Sequence, residues 1–159
     1  VWADLGAGEG AFTLALADLL GSRGHIIAID RDRAALDHLR RLMPARFPTT
    51  QVDYRVADFT RSLALPPLDG IVMANSLHFV RHKESVLRMV KDYLKPGGRL
   101  ILVEYNADHG NPWVPYPLSF ATWEALAARM GLTGTRLLAT IPSRFLREIY
   151  SAASDNPRP

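Results

Sequence analysis

Short apolar runs alternate with amphipathic stretches along the first 105 residues of the chain. The apolar runs have the length of buried strands, and the stretches between them carry apolar residues three and four positions apart, as helices do. This alternation is typical of a parallel sheet that is covered by helices. The pattern predicts strands at 1–5, 25–30, 52–56, 69–74 and 99–105, and helices after Gly10, at 32–43 and at 83–94.

Two details of these elements can be predicted from single residues. A break at 44–50, which begins with Pro44, and a proline–glycine stop signal at 95–98 are expected to separate two of the helices from the strands that follow. The first helix is expected to bury one face, made of Phe12, Leu16, Leu19 and Leu20.

The pattern changes after Asn106. Residues 106–117 are rich in Asn, Gly, Pro and aromatic residues and predict an ordered loop, which a helix at 119–130 follows. Strands are predicted at 133–141 and 145–152, and the short Pro142-Ser143 connection permits only an antiparallel pair. We therefore expect one α/β domain over 1–154 and a polar tail at 155–159. The domain is expected to be a Rossmann-like, seven-stranded, mostly parallel sheet with helices on both faces and a C-terminal antiparallel hairpin.

Composition narrows the class of protein. The 159 residues contain no cysteine, which excludes disulfides, cysteine–zinc sites and cysteine nucleophiles. The net charge of +3 is spread along the chain, so nucleic acid is an unlikely partner. No apolar run is long enough for a membrane span, no signal peptide is visible and no metal-ligand spacing occurs. We expect a cytoplasmic protein without a metal site.

Polar residues of interest follow the predicted strands where each strand ends. Asp4 precedes three glycines at alternate positions, which let the backbone turn sharply and approach a ligand closely. In parallel sheets, ligands bind beyond the carboxyl ends of the strands. The polar residues at the five strand ends therefore predict one cleft for an elongated, nucleotide-like ligand. These residues are Asp4, Asp30, Asp58, Asn75 and Tyr105–Asn106.

The glycine turn permits two interpretations. Through Ala11 it fits G-x-G-x-x-A, a form of the nicotinamide-dinucleotide fingerprint. As D-x-G-x-G-x-G, with Asp4, Gly6, Gly8 and Gly10, it resembles motif I of the class I S-adenosylmethionine (SAM)-dependent methyltransferases. The acid Asp30, the Ala57-Asp58-Phe59 element and the Leu94-Lys-Pro-Gly-Gly98 turn match this family as well, especially its UbiE-like and type 11 groups.

The resemblance implies SAM as the cofactor and a role for each matched residue. Asp4, Gly6, Ala7 and Gly8 would form the turn around the amino-acid part of SAM. Asp30 would accept hydrogen bonds from both ribose hydroxyls, although an Asp here could instead cap the next helix, a role that Asp32 can also fill. Arg31, Asp58 and Phe59 would contact the adenine. Asn75 would lie near the sulfonium, or would serve only as a turn residue.

Residues on the acceptor side are less clearly marked. His78 is the one candidate for a general base, and a structural or pocket-lining histidine is the favoured alternative. His109, Trp113 and Tyr116 lie in the loop after the fifth strand, which commonly faces the substrate in this fold. The two aromatic residues could instead pack the loop down, and Glu104 could point to either face of its strand.

The resulting hypothesis is a SAM-dependent methyltransferase that methylates an O, N, S or C atom of a small-molecule acceptor. Two alternatives remain, a nicotinamide-dependent oxidoreductase and a non-catalytic SAM-binding module. No N/D-P-P-Y/F sequence follows the fourth strand, which argues against methylation of adenine or glutamine amino groups. Because Val1 lies in mid-strand and is not Met, we expect a preceding segment that caps the substrate, as the resemblance implies.

Overall fold

The computed structural model describes residues 1–158, within which seven strands and four α-helices lie. The strands are β1 Trp2–Leu5, β2 His25–Asp30, β3 Gln51–Val56, β4 Leu68–Ala74, β5 Leu94–Tyr105, β6 Thr133–Pro142 and β7 Glu148–Asp155. The helices are α1 Ala11–Leu20, α2 Arg33–Arg46, α3 Lys83–Tyr93 and α4 Phe120–Arg129. Short 3₁₀ turns lie at Gly21–Arg23 and Leu77–Phe79.

All seven strands form one sheet in the order β3-β2-β1-β4-β5-β7-β6. Strands β1 to β5 are parallel, and β7 is antiparallel to both β5 and β6, between which it lies. The predicted fold class is confirmed. The strand order reverses between β1 and β4, and this is the point at which sheets of this kind bind ligands.

Helices cover both faces of the sheet. On one face α1 and α2 bury Leu16, Ala17, Leu36, Leu39 and Met43. On the other face α3 and α4 bury Val86, Leu87, Val90, Trp123 and Leu126. Two helices begin at side-chain caps, because Asp32 accepts from the N–H of Ala34 at 2.9 Å and Ser119 accepts from the N–H of Thr122 at 3.2 Å.

Two expectations about the helices are wrong. Leu19 is 81% exposed, because the buried stripe of α1 runs through Thr13, Leu16 and Ala17 and Leu19 lies off it. Pro44 does not end α2, which continues to Arg46. Proline lacks the N–H for one helical hydrogen bond, but the helical bonding continues after it, because the N–H of Phe47 donates to the carbonyl of Met43 at 2.7 Å.

Strand β5 begins earlier than expected. The Lys-Pro-Gly-Gly segment does not separate α3 from the strand, because Leu94 already pairs with Leu68 of β4. A register shift between Leu68 and Gly70 accommodates the segment, and Gly97 adopts a φ of 78° there. The predicted turn is therefore an irregular start of β5.

The C-terminal hairpin is antiparallel as predicted, but its connection spans 143–147. Phe145, expected in a strand, is 62% exposed in this connection. The last strand reaches Asp155, whose carboxylate accepts from Arg99 Nε at 2.7 Å, and Asn156 Nδ2 donates to the carbonyl of Leu94 at 3.0 Å. The first residues of the expected 155–159 tail are thus bound to the sheet, whereas Pro159 lies outside the described residues.

Within residues 1–158, no helix combines the length and apolar character that crossing a membrane requires.

Candidate functional site

A cleft of about 390 Å³ opens where β1, β2, β3 and β4 end, beside the reversal in strand order. Its volume is in the range of small-molecule sites in proteins. Four segments form it, one after each of these strands. The lining residues are Gly6, Gly8, Asp30, Arg31, Ala57, Asp58, Phe59, Thr60, Asn75, Ser76, Phe79 and Val80.

The glycine turn after β1 is bound to the neighbouring strand. Gly6 and Ala7 both donate from their N–H groups to the carbonyl of Ile29 in β2, at 2.9 and 3.0 Å. Gly6 has a φ of 82°, and a Cβ there would lie 2.5 Å from the Cβ of Ser76. Glycine is therefore required at position 6 by the protein itself, with or without a ligand.

Gly8 differs from Gly6 in what surrounds it. Its φ is 53°, and a Cβ there would meet nothing within 4 Å. Since Gly8 lines the cleft, the open space above its backbone belongs to the ligand site. A Cβ at Gly10, by contrast, would collide with the side chain of Leu39, so the end of the turn packs tightly on α2.

Asp30 organises the turn as well as the cleft. Its Oδ2 accepts from the N–H of Gly8 at 2.8 Å, and its Oδ1 accepts from the N–H of Asp32 at 2.8 Å. The cap of α2 is Asp32, so the alternative role of Asp30 as a helix cap is wrong. Each carboxylate oxygen of Asp30 keeps a second lone pair, which suits a pair of vicinal hydroxyls.

Asp58 follows β3 and faces the same cleft. Its Oδ1 accepts from the hydroxyl of Thr60 at 2.7 Å and from the N–H of Thr60 at 2.9 Å. These two bonds, helped by the charges of Arg61 and Arg31, hold the pKa of Asp58 below its usual value. The carboxylate is therefore ionised at neutral pH, and Oδ2 remains available for a ligand donor such as an amine.

Asp4 lies behind the turn and does not line the cleft. It is buried, and its Oδ2 accepts from the hydroxyl of Thr13 at 2.7 Å. Burial raises the pKa of Asp4 to about 6; the Thr13 bond opposes this shift and the charge of Asp30 adds to it. Ala7 is also absent from the lining, so these two predicted cofactor residues support the turn from within the protein.

The segment after β4 is attached to the strands on both sides. Asn75 has a φ of 50° and donates from its N–H to the carbonyl of Val103 in β5 at 2.8 Å. The hydroxyl of buried Ser76 donates to the carbonyl of Leu5 in β1 at 2.8 Å. Asn75 is thus a turn former and a cleft-lining residue at once.

His78 and Glu104 form a buried pair next to this segment. The imidazole Nδ1 lies 2.8 Å from Glu104 Oε2, and the backbone N–H of His78 donates to Oε1 at 3.0 Å. A carboxylate can only accept, so this contact places the imidazole proton on Nδ1 and leaves Nε2 as the basic nitrogen. The ring also stacks at a tilt on Phe79, with 4.3 Å between centroids.

The loop after β5 places its aromatic residues at the surface. Trp113 is 71% exposed and Tyr116 is 40% exposed, and His109 is exposed as well. The alternative that Trp113 packs the loop down is therefore wrong. These three residues do not line the cofactor cleft, and their contact with an acceptor stays a prediction.

The structure brings most of the predicted cofactor residues into one cleft. Gly6, Gly8, Asp30, Arg31, Asp58, Phe59 and Asn75 all line it. The lining residues Thr60, Phe79 and Val80 are not predicted by the sequence pattern, and neither is the direction of the Glu104 side chain. The alternation of side chains along β5 could have indicated the direction of Glu104, because Leu100 and Leu102 lie on the same face of the strand and are buried in the core. A carboxylate on that face requires a partner.

The residues of this cleft fit an adenosyl group. Two carboxylates, at Asp30 and Asp58, offer acceptors for hydroxyls and an amine, and the Phe59 ring is an apolar surface beside the glycine turn. The space above Gly8 allows a polar chain to pass close to the backbone. Nowhere in residues 1–158 do three or more His, Asp or Glu side chains come together as a metal ion would need.

Comparison with known proteins agrees with this geometry. Residues 3–100 match a family described as a methyltransferase domain. The ubiquinone/menaquinone biosynthesis C-methyltransferase UbiE of Ectopseudomonas mendocina is 32% identical over 111 residues, which are 69% of this chain and 43% of that protein. The chain therefore spans less than half the length of this curated relative.

Two solved structures share the fold. The CurJ carbon methyltransferase superposes with a TM-score of 0.79 at 18% identity, over 98% of this chain and 48% of that chain. A SAM-dependent methyltransferase from Methanosarcina mazei superposes with a TM-score of 0.77 at 17% identity, over 99% of this chain and 92% of that chain.

The chain belongs to the methyltransferase domain family, and its fold is that of the class I SAM-dependent methyltransferases. The cofactor of this class is SAM, which decides between the two interpretations of the glycine turn. The nicotinamide-dinucleotide interpretation is set aside.

Proposed function

We propose that this protein transfers a methyl group from SAM to a small-molecule acceptor whose reacting atom must first lose a proton. The observation that carries the proposal is the buried His78–Glu104 pair. His78 lies between Ser76 and Phe79 in the chain, and both of those residues line the cofactor cleft.

Residues of the cleft would hold the cofactor in three parts. Asp30 would bind the ribose hydroxyls, while Asp58 and Phe59 would bind the adenine. The glycine turn would pass along the amino-acid part, close to Gly8. When bound, SAM supplies a methyl group on a positively charged sulfur. A nucleophile attacks the methyl carbon in line with the carbon–sulfur bond, and the sulfur leaves as a neutral thioether.

His78 would act on the acceptor at Nε2. The acceptor gives a proton to this nitrogen, and the electron pair left on the acceptor atom forms the bond to the methyl carbon. Glu104 holds the imidazole in the tautomer with Nδ1 protonated and stabilises the imidazolium that forms. The imidazolium then releases this proton to water.

The names of two similar proteins favour carbon as the methylated atom. UbiE of E. mendocina is called a C-methyltransferase, and CurJ is called a carbon methyltransferase. A C–H acceptor is a weak acid and needs a base more than an amine or thiol does. This need is consistent with a paired histidine beside the cleft.

Two measurements test the proposal. Calorimetry should show binding of SAM and of S-adenosylhomocysteine with micromolar dissociation constants. Transfer of labelled methyl from SAM should then be measured with a panel of hydroquinones, phenols and β-keto esters, since these carry acidic C–H or O–H groups. SAM binding without transfer to any acceptor would favour the non-catalytic module, and absence of SAM binding would reject the proposal altogether.

A further inference from the structure

Two hydrogen bonds join the segment after β4 to the loop after β5, and a third fixes the lysine that makes one of them. The N–H of Tyr116 donates to the carbonyl of His78 at 2.9 Å. The ammonium of Lys83 donates to the carbonyl of Tyr116 at 2.7 Å and to the carbonyl of Val80 at 2.8 Å. Both segments therefore meet at one lysine, which holds two carbonyl groups from different parts of the chain.

The position of Lys83 is unfavourable in its own helix. Lys83 is the first residue of α3, where the helix dipole disfavours a positive charge. The side chain is half-buried, and this burial lowers the pKa of the ammonium against the opposing influence of the Glu104 charge. Its Nζ also lies 5.9 Å from the centroid of the Tyr116 ring. These contacts compensate for a site that the helix alone would not favour.

Other bonds hold the loop both at its ends and in its middle, where Asn111 Oδ1 accepts from the N–H groups of residues 113 and 114 at 2.9 Å. Asn106 Nδ2 donates to Glu148 Oε1 at 2.6 Å, and Asp108 Oδ1 accepts from the N–H of Ser119 at 2.9 Å. The exposed aromatic residues Trp113 and Tyr116 lie between these anchors. Lys83 is thus attached to the part of the loop that carries the predicted acceptor residues.

We propose that Lys83 is a positioning residue that sets the acceptor loop, residues 106–117, against His78. The inference rests on the proposed function, because it takes the loop after β5 as the side of the site that contacts the methyl acceptor. Lys83 does not touch the cofactor cleft and acts through the two carbonyls that it binds. Losing it would loosen the acceptor side and leave SAM binding intact.

Lys91 provides a matched control on the same helix. It is also half-buried, and its Nζ donates to the carbonyl of Met130 at 3.0 Å, at the end of α4. The variants Lys83→Met, Lys83→Arg and Lys91→Met are compared with the wild type, all saturated with S-adenosylhomocysteine. Hydrogen–deuterium exchange reports the Tyr116 amide, and proton NMR reports the Nδ1–H of His78, assigned with His78→Gln.

In Lys83→Met we expect the Tyr116 amide to exchange at least about tenfold faster and the His78 signal to shift or broaden. Lys83→Arg should restore both, because the guanidinium can donate to both carbonyls. Lys91→Met should change neither, and the dissociation constant of S-adenosylhomocysteine should agree within about threefold across the set. With the acceptor found in the labelling assay, Lys83→Met should raise KM more than it lowers kcat.

Unchanged exchange at Tyr116 together with an unchanged His78 signal in Lys83→Met would overturn the proposal. So would the same response in Lys91→Met, since that would show a general loosening of α3. Failure of the wild type to bind S-adenosylhomocysteine is a separate result, which would reject the proposed function while the exchange data still report the contact.

Discussion

Glu104 binds His78 through both of its carboxylate oxygens, one on the backbone N–H at 3.0 Å and the other on Nδ1 at 2.8 Å. Two contacts to one residue define the ring orientation as well as its tautomer. Both residues are buried, so neither contact is exchanged for water. The pair joins the end of β4 to β5 at the level of the cofactor cleft.

Replacing the imidazole should remove the base and spare the cofactor site. For His78→Gln we expect methyl transfer to fall by about 10²–10⁴-fold, which is the usual contribution of a positioned general base. The dissociation constant of S-adenosylhomocysteine should stay within about threefold of the wild type. Transfer is measured with labelled SAM, and binding by calorimetry.

The control for this variant is His25→Gln. His25 Nε2 lies 3.0 Å from Asp53 Oδ2, also as a histidine–carboxylate pair, but at the end of β2 opposite to Asp30. It should transfer methyl groups at the wild-type rate. Equal activity of His78→Gln and His25→Gln would assign the buried pair to structure alone.

Asp30→Ala should weaken the binding of SAM by about 1–3 kcal/mol, because the charge-assisted hydrogen bonds between Asp30 and the ribose hydroxyls are lost. This corresponds to a dissociation constant about 5–150 times larger by calorimetry. Asp32→Ala is the matched control, since Asp32 caps α2 without lining the cleft. It should lower the free energy of unfolding by about 1 kcal/mol and leave SAM affinity unchanged. A similar loss of affinity in both variants would contradict the ribose assignment.

Gly8→Val should fold and fail to bind SAM. The new side chain meets no protein atom near its Cβ, so it would occupy the ligand space instead. The φ of 53° adds a strain of about 1–2 kcal/mol to the folded state. Gly21→Val is the control for a branched residue at a positive φ, because Gly21 lies at the end of α1 with a φ of 63°, a ψ of −158° and equally open surroundings. Because the φ and ψ of Gly21 belong to a region that essentially only glycine adopts, thermal unfolding of Gly21→Val should shift at least as much as that of Gly8→Val. Calorimetry should nevertheless detect SAM binding in Gly21→Val only.

Asp4→Asn should change how stability depends on pH. The pKa of Asp4 is raised from 3.8 to about 6 on folding, so the folded state holds a proton that the unfolded state releases first. Stability from this group is therefore present at low pH and is lost as the pH rises from about 4 to about 6. The raised pKa of Asp4 corresponds to a loss of about 3 kcal/mol in the free energy of unfolding once the pH exceeds both pKa values. Urea unfolding should show Asp4→Asn gaining most of this amount relative to the wild type between about pH 4 and pH 7. Parallel stability curves for the two proteins would refute the burial effect.

The sheet and the cleft could be predicted because both depend on local patterns. Buried parallel strands are nearly continuous apolar runs, and the residue after each run must lie at one edge of the sheet. Asp30 and Asp58 were identified on this basis and lie in the same cleft. The glycine turn added a backbone constraint that does not depend on packing.

The remaining features depend on contacts between distant parts of the chain. Whether Leu19 is buried depends on how α1 lies on the sheet, and its apolar character alone does not decide it. Phe145 is apolar and aromatic yet belongs to a connection, because the hairpin turn is wider than the sequence suggested. Glu104 and Lys83 find their partners 26 and 33 residues away, on other elements. Such pairings follow from the tertiary fold.

The hydrogen bonds that attach residue 116 to Lys83 and to His78 use only its main-chain carbonyl and N–H. Any amino acid except proline could stand there and keep the attachment, since proline alone lacks the N–H. A different residue at position 116 would leave the cofactor cleft unchanged, because all the residues that line this cleft precede residue 81. Under the proposed function, substitutions in the loop after β5 would change which acceptor is methylated while the cofactor cleft stayed the same.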